Sequence, residues 1–309
     1  MTTDHITATA SGHWMLGGDL RVSRMGFGAM RLPARGWNGP AGDRDTALAV
    51  LRRAVELGVD HIDTASFYAH GDLSANELIR SALHPYPDQL VIATKVGPQR
   101  GSEGRLSEAG PSELRAAVEG NLTELGLDRL DLVYLRVGGI DGPTGDRIGE
   151  RFSALAALRD EGLVRHLGVS NMSAEQLAEA QQIAPVAAVQ NRFSVTVQED
   201  VELLEICARQ NIAYVPFFPL GGFGLPDDDR INRVAERHRV TVAQTMLAWL
   251  LARSPAMLAI PGTSTLAHLE ENVGSAGLRL SPEDLTELGR RDQLSVHAPG
   301  RQPAQEPEV

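Results

Sequence analysis

One recurrence constrains this chain more than any other feature. Between Met25 and Val273 a short apolar run, a turn and an amphipathic stretch follow one another eight times. The apolar runs are Met25–Met30, His61–Thr64, Leu90–Lys95, Leu130–Leu135, Val164–Val169, Ala187–Gln190, Ile212–Phe217 and Met257–Ile260. Helical stretches follow at Thr46–Leu57, Asn76–Leu83, Ser112–Leu125, Phe152–Glu161, Ala174–Ile183 and Asp200–Gln210. Two more, Ile231–His238 and Val242–Ala252, precede the eighth run, and a last begins at Leu266. In the first helix Ala47, Leu48, Leu51, Ala54 and Val55 trace one face, and Gly58 ends it.

Strands joined by helices must run parallel, because a parallel pair needs a long crossover. Eight such units suit a closed (β/α)8 TIM barrel of the α/β class better than an open sheet, although periodicity alone leaves closure undecided. Trp14-Met15-Leu16 and Leu20-Arg21-Val22 flank Gly17-Gly18-Asp19 and read as an N-terminal β-hairpin cap. A length of 309 residues allows two domains of ~150, but barrels of ~250 residues form one. The expected organisation is a loose N-terminus (1–11), a single barrel (12–297) and a loose Pro- and Glu-rich tail (298–309).

With a net charge of −11, a basic nucleic-acid footprint is absent and so is a polybasic membrane patch, so neither nucleic acid nor membrane is an expected partner. The one cysteine, Cys207, sits in an apolar helical run and supports neither a disulfide framework nor a zinc site. The histidines show no metal spacing, so no metal is expected; His61 reads as a packing residue and His70 as a rim residue. No apolar run reaches ~18 residues, and Met1–Ser11 lacks the basic start and apolar stretch of a secretory signal. The expected location is the cytoplasm, and nothing in the sequence demands an oligomer.

Chemistry in a barrel sits at the C-terminal ends of the strands. The polar residues there are Arg31, Asp63, Tyr68, Lys95, Arg136, Ser170, Asn171 and Gln190. Singly, Asp63 reads as a helix cap, Tyr68 as a rim packer and Lys95 as a solvated strand end. Together at one mouth they make a proton donor. A phenol with a pKa of about 10 is protonated at neutral pH. It can donate to a developing alkoxide, a nearby ammonium stabilises the phenolate left behind, and a carboxylate holds that ammonium.

Longer stretches carry a resemblance. His61-Ile62-Asp63-Thr64-Ala65-Ser66-Phe67-Tyr68 resembles the signature of the aldo-keto reductase family, and Val91 to Val96 its lysine strand. Leu167-Gly168-Val169-Ser170-Asn171 and Val189-Gln190-Asn191 resemble the segments that hold the nicotinamide carboxamide. Phe217-Phe218-Pro219-Leu220-Gly221-Gly222 is similar to the loop whose first aromatic stacks on the nicotinamide, and Ile260 to Asn272 to the adenosine-phosphate segment. The resemblance runs from about Leu20 to Asn272. It implies an NADPH-dependent carbonyl reductase that transfers hydride from nicotinamide, with Tyr68 as proton donor and Asp63, Lys95 and Arg136 beside it. The implied cofactor residues are Gly28, Met30, Arg31 and Asp63 on the first strands, then Ser170, Asn171 and Gln190. Phe217, Phe218, Leu220 and Gly222 follow, then Gly262, Thr263, Ser264, His268, Glu271 and Asn272.

Two departures stand out. The family usually places a histidine after strand four, where this chain has Arg136. Arginine is always charged and offers a planar fork of donors. It can serve the carbonyl oxyanion, lower the Tyr68 pKa, hold an acidic substrate group, or turn aside to Asp141 or Asp146. Arginine here resembles a bacterial branch that includes pyridoxal reductases, as do Leu83 to Asp88 and Val215 to Phe223; pyridoxal or a related ring carbonyl is the implied substrate. Secondly, many members grip the NADPH 2′-phosphate with a lysine near Gly262 and an arginine near His268. This chain has neither, which leaves Thr263, Ser264 and helix N–H groups, and makes NADH the less expected but open cofactor.

Two other readings compete: a nucleotide-binding regulatory barrel with weak or no catalysis, and a Schiff-base enzyme using Lys95. The first has no need of Asp63, Tyr68 and Lys95 together. The second leaves the nicotinamide-type segments unexplained.

Overall fold

The structure is a computed structural model that describes residues 6–34, 39–100, 106–139, 142–222 and 224–289. In chain order it holds a hairpin, β1 (His13–Leu16) and β2 (Leu20–Ser23), then β3 (Phe27–Gly28), α1 (Arg44–Glu56) and β4 (His61–Asp63). A small hairpin of β5 (Ala69–His70) and β6 (Leu73–Ser74) leads to α2 (Ala75–Leu83) and β7 (Val91–Val96). A second hairpin, β8 (Pro98–Arg100) and β9 (Leu106–Glu108), leads to α3 (Leu114–Leu125) and β10 (Leu130–Arg136). Then come α4 (Gly149–Asp160), β11 (Val164–Ser170), α5 (Ala174–Gln181), β12 (Val186–Gln190), α6 (Val201–Arg209) and β13 (Ala213–Tyr214). Four helices end the described chain: α7 (Asp229–His238), α8 (Val242–Arg253), α9 (Leu266–Gly274) and α10 (Pro282–Gly289).

Seven strands pair in parallel in the order β13-β12-β11-β10-β7-β4-β3. The segment around Met257–Ile260 closes the ring. Met257 bridges Tyr214 and Ala259 bridges Met25, both in parallel. Gly26 N–H donates to Ala259 C=O at 2.8 Å, and Leu258 N–H donates to Tyr214 C=O at 2.9 Å. The chain is therefore a (β/α)8 barrel, and the question of closure is answered by this eighth segment.

Strands seven and eight are less regular than the sequence predicts. Pro216 and Pro219 follow β13, Pro261 follows the eighth segment, and a proline has no N–H for the ladder. Pairing continues in single bonds instead: Val215 N–H to Val189 C=O and Phe217 N–H to Asn191 C=O, at 2.8 and 2.9 Å. The first run, expected to extend to Met30, stops at Gly28 and turns into a 3-10 helix at Ala29–Arg31.

Alternating side chains divide the core in two. Ile62, Ile92, Val133, Leu135, Val169 and Val189 face outward and pack under the helices. Val91, Ala93, Leu132, Tyr134, Ala188, Ala213 and Leu258 fill the barrel interior, where Leu16 and Val22 of the hairpin join them. The hairpin thus plugs the N-terminal end, as its sequence predicts. Asp19 in its turn accepts hydrogen bonds from Arg165 at 2.8 Å and contacts His166 Nε2 at 2.6 Å at the foot of β11. Glycine makes room within the interior: a Cβ on Gly168 would stand 2.6 Å from the Tyr134 ring. Outside, Gly126 adopts φ 68° and stops α3 where the sequence predicts a stop.

Part of the expected loose N-terminus is ordered. Ala8–Ser11 form a 3-10 turn with Ala8 fully buried; Ala8 N–H donates to Leu57 C=O, and Ser11 Oγ accepts from Met25 N–H. Residues 1–5 and the tail 298–309 lie outside the described residues. The sequence reading missed α10, although Ser281 and Asp284 bond reciprocally at its start in a recognisable capping pattern. Among the described residues no helix is long and apolar enough to cross a membrane.

Filling the interior glycine tests this packing. Gly168→Val should cost about 1–3 kcal/mol through overpacking against Tyr134 and lower Tm by several degrees in thermal unfolding; an unchanged Tm contradicts it.

Candidate active site

The strand ends open into a cavity of about 630 Å³. Its floor is a buried ion pair. Asp63 ends β4, and its backbone pairs with Ala93, so Lys95 lies one inward-facing position further along β7. Lys95 Nζ donates to Asp63 Oδ1 at 2.5 Å and to Thr64 C=O at 3.0 Å. Gln190 Nε2, from the end of β12, donates to Asp63 Oδ2 at 2.7 Å. Both carboxylate oxygens are therefore engaged, and Asp63 and Lys95 are almost completely buried.

Tyr68 stands above this floor. It closes a turn in which its N–H donates to Ala65 C=O, and Phe67 packs edge-on against its ring. The Lys95 ammonium lies 4.9 Å from the Tyr68 ring centre. A second phenol, Tyr134, lies beneath; burial pushes its pKa well up, and the Asp63 charge adds to this. Of the two, only Tyr68 lines the cavity.

Arg136 ends β10 and forms another wall, with 9% of its surface exposed. It donates from Nη1 to Ser170 Oγ at 3.0 Å and from Nη2 to Gly139 C=O at 2.7 Å. Its guanidinium carbon lies 4.8 Å over the Phe217 ring centre. Burial pulls its pKa down, while Tyr68 and Asp63 pull it back up. No carboxylate among the described residues forms an ion pair with it. Asp146, one expected partner, uses its backbone C=O to accept from Gln176; Asp141, the other, lies outside the described residues.

Behind the strands a buried amide network supports the floor. Thr64 Oγ1 donates to Asn76 Oδ1, Asn76 Nδ2 donates to Asn121 Oδ1 and Glu124 Oε2, and Thr94 Oγ1 donates to Asn121 Oδ1, all within 2.7–2.9 Å. Thr64 and Thr94 are chain neighbours of Asp63 and Lys95, so the network fixes the backbone from which both charges project. Nothing in the sequence marked Asn76 or Asn121, since neither has a strand-end position.

Most of the residues expected at a cofactor meet here. Gly28, Met30, Arg31 and Gln190 line the cavity, as do Phe217, Phe218, Leu220 and Gly222. Gly262, which lies against Gly28, and Thr263, His268, Glu271 and Asn272 of the α9 side line it too. Arg31 Nη2 donates to Gly222 C=O at 3.2 Å and so ties the first loop to the seventh. Ser170, Asn171 and Ser264 are not on the wall. Ser170 is held by Arg136, and Asn171, at φ 61°, donates its amide to the C=O groups of Val137, Gly139 and Gly142. The sequence reading missed Phe67, Pro98, Leu225 and Ala243 on the wall, which carry no polar signature.

The sequence matches the Aldo/keto reductase family over residues 24–291. The chain belongs to the aldo/keto reductase family. It is 46% identical to the pyridoxine 4-dehydrogenase of Escherichia coli over 274 residues, 88% of this chain and 95% of the relative. An uncharacterised oxidoreductase of Schizosaccharomyces pombe is 39% identical over 88% of this chain and 87% of its own length. An aldo/keto reductase from Klebsiella pneumoniae, crystallised with NADP and acetate, superposes with a TM-score of 0.73 at 28% identity, covering 89% of this chain and 93% of that one. A thermostable aldo-keto reductase bound to the inhibitor epalrestat gives a TM-score of 0.76 at 28% identity, covering 90% and 98%.

The pair at the floor of this aldo/keto reductase can be tested by stability alone. Lys95→Met strands a buried carboxylate and should cost about 3–5 kcal/mol. Adding Asp63→Asn removes the stranded charge, so the double variant should unfold at a higher urea concentration than Lys95→Met. A double variant no more stable than the single one contradicts the pairing.

Proposed function

We propose that this enzyme is an NADP(H)-linked carbonyl reductase in which Tyr68 protonates the carbonyl oxygen, with a ring aldehyde of the pyridoxal type as substrate. The observation that carries the reading is the Asp63–Lys95–Gln190 triangle closed beneath the one phenol that lines the cavity.

The residues present fit a nicotinamide dinucleotide. Gln190 lines the cavity with its Nε2 held by Asp63, a fixed amide that suits a carboxamide. Gly28 and Gly262 approach so closely that a Cβ on Gly262 would stand 2.5 Å from the Gly28 carbonyl oxygen, so the backbone itself forms a smooth cradle. Phe217 and Phe218 supply flat apolar walls. On the α9 side Thr263, His268 and the N–H groups opening the helix take the phosphate. The bound dihydronicotinamide supplies the hydride that reduces the carbonyl carbon.

The chain's own residues do the rest. Arg136 directs donors toward the carbonyl oxygen and favours the negative charge that grows there. Tyr68 Oη gives its proton to that oxygen, forming the alcohol O–H. The phenolate left behind faces Lys95 and Arg136, and solvent returns its proton. Asp63 holds Lys95 in place. The pyridoxine 4-dehydrogenase name of the Escherichia coli relative supports the pyridoxal–pyridoxine pair as substrate and product.

Tyr68→Phe should lower kcat by about 10²- to 10⁴-fold with pyridoxal while leaving NADP(H) binding, followed by fluorescence titration, intact. Full turnover in that variant refutes the proton-donor role. Because no lysine or arginine among the described residues lines the cavity on the α9 side, the preference for NADPH over NADH should be modest. Comparison of kcat/KM for the two cofactors measures it, and a preference above roughly 10³-fold, more than a few neutral hydrogen bonds provide, contradicts this assignment of the phosphate site.

A further inference from the structure

We propose that Arg136 reads a permanent oxyanion on the carbon next to the one that bears the carbonyl, so that the preferred substrates are ring aldehydes with an ionised ortho hydroxyl. This inference rests on the reductase reading and adds the ionic form and substitution pattern of the substrate.

The argument begins with charge. At the cavity floor Lys95 and Asp63 cancel, and both Asp63 oxygens are taken, by Lys95 and Gln190. Arg136 has no such counterion among the described residues, although it is as buried as many core side chains. A buried unpaired cation is costly, and the cost falls when a ligand brings the opposite charge. Glu271, the other carboxylate on the wall, lies among the α9 residues and accepts from Thr241 Oγ1 at 2.5 Å. Asp63 acts on the guanidinium only at a distance, and no carboxylate among the described residues forms an ion pair with it.

The second step is donor count. A guanidinium has five N–H groups. One on each terminal nitrogen is bound, to Ser170 Oγ and Gly139 C=O. These two anchors fix the fork, and the remaining N–H groups of a residue that lines the cavity are left for a ligand. A plain aldehyde offers one neutral oxygen and leaves the charge unmet before reaction. An aldehyde with an ortho oxyanion presents two oxygens side by side in one plane, as a carboxylate does, and matches the fork with a full negative charge.

The third step is shape. Arg136 lies over the Phe217 ring, and Phe67, Phe218 and Leu220 line the same cavity. An aromatic ring buries well there, whereas a short 2-oxo acid with the same charge would leave those walls uncovered.

The test uses the full-length enzyme with NADPH and three aldehydes: salicylaldehyde, its meta-hydroxy isomer and benzaldehyde. The wild type should favour salicylaldehyde over the other two by about 10- to 100-fold in kcat/KM, the range of a charge-assisted hydrogen bond. Arg136→Gln should lower all three rates and bring the ratio close to one. Absorbance titration of salicylaldehyde bound to the wild-type enzyme–NADP⁺ complex should show its hydroxyl ionising at lower pH than in free solution. That readout needs neither turnover nor a folded variant. Equal efficiency for the three aldehydes overturns the inference and leaves the reductase reading standing, as does a bound hydroxyl that titrates like the free one. Better reduction of a 2-oxo acid such as pyruvate also overturns it. No reduction of any aldehyde alongside a lowered hydroxyl pKa defeats the reductase reading instead and keeps the anion site.

Discussion

The buried Lys95–Asp63 pair is the interaction on which the rest of the site depends. A charge pair this deep is tolerable only when geometry and remaining hydrogen bonds are all satisfied. Every element around it serves that condition. The Thr64 carbonyl takes a second Lys95 proton, Gln190 takes the second Asp63 oxygen, and the Asn76–Asn121 network holds the two strands that carry the charges. The barrel supplies what an open sheet does not, because β4, β7 and β12 converge on one point only when the sheet closes. Closure in turn rests on the bonds between the Met25 and Ala259 segments.

Much of this is legible in the sequence, for identifiable reasons. β7, β10 and β11 are long apolar runs buried on both faces, so their position and direction follow from hydrophobicity alone. Asp63 and Lys95 are legible because they close such runs, and Tyr68 because it follows Asp63 closely in the next turn. The eighth strand is legible as a run but not as regular structure, since its ladder consists of single bridges interrupted by proline. The small hairpins β5–β6 and β8–β9 escaped the reading, as two- and three-residue strands have no period to detect. Asn76 and Asn121 escaped for a different reason: they sit on otherwise apolar helix faces, and only the folded neighbourhood shows that they meet each other.

The side chains of Ser170 and Asn171 mark the same limit at the site itself. Their sequence neighbourhood points to a cofactor carboxamide, yet in this structure both are tied to the protein. Ser170 is tied because Arg136 is long enough to reach it, and Asn171 because three carbonyls of the loop after β10 converge on its amide. The Ser170 bond depends on what stands at position 136, which no local pattern around Ser170 encodes.

That dependence bears on the exchange of the family's usual histidine for arginine. The Gly139 carbonyl accepts from both Arg136, at 2.7 Å, and Asn171, at 3.1 Å. The Gly139 carbonyl is therefore held by the same guanidinium that lines the cavity. A histidine is shorter and has at most two ring N–H donors, so it cannot anchor Ser170, hold Gly139 and still face a substrate. The exchange changes two properties at once: it adds a fixed positive charge at the cavity wall, and it ties that charge to the backbone that borders the pocket. A cation held from three sides is pre-organised, and its attraction for an anionic ligand is not spent on fixing a mobile side chain. Local electrostatics and loop architecture are thus one feature of this chain, carried by one residue at the end of β10.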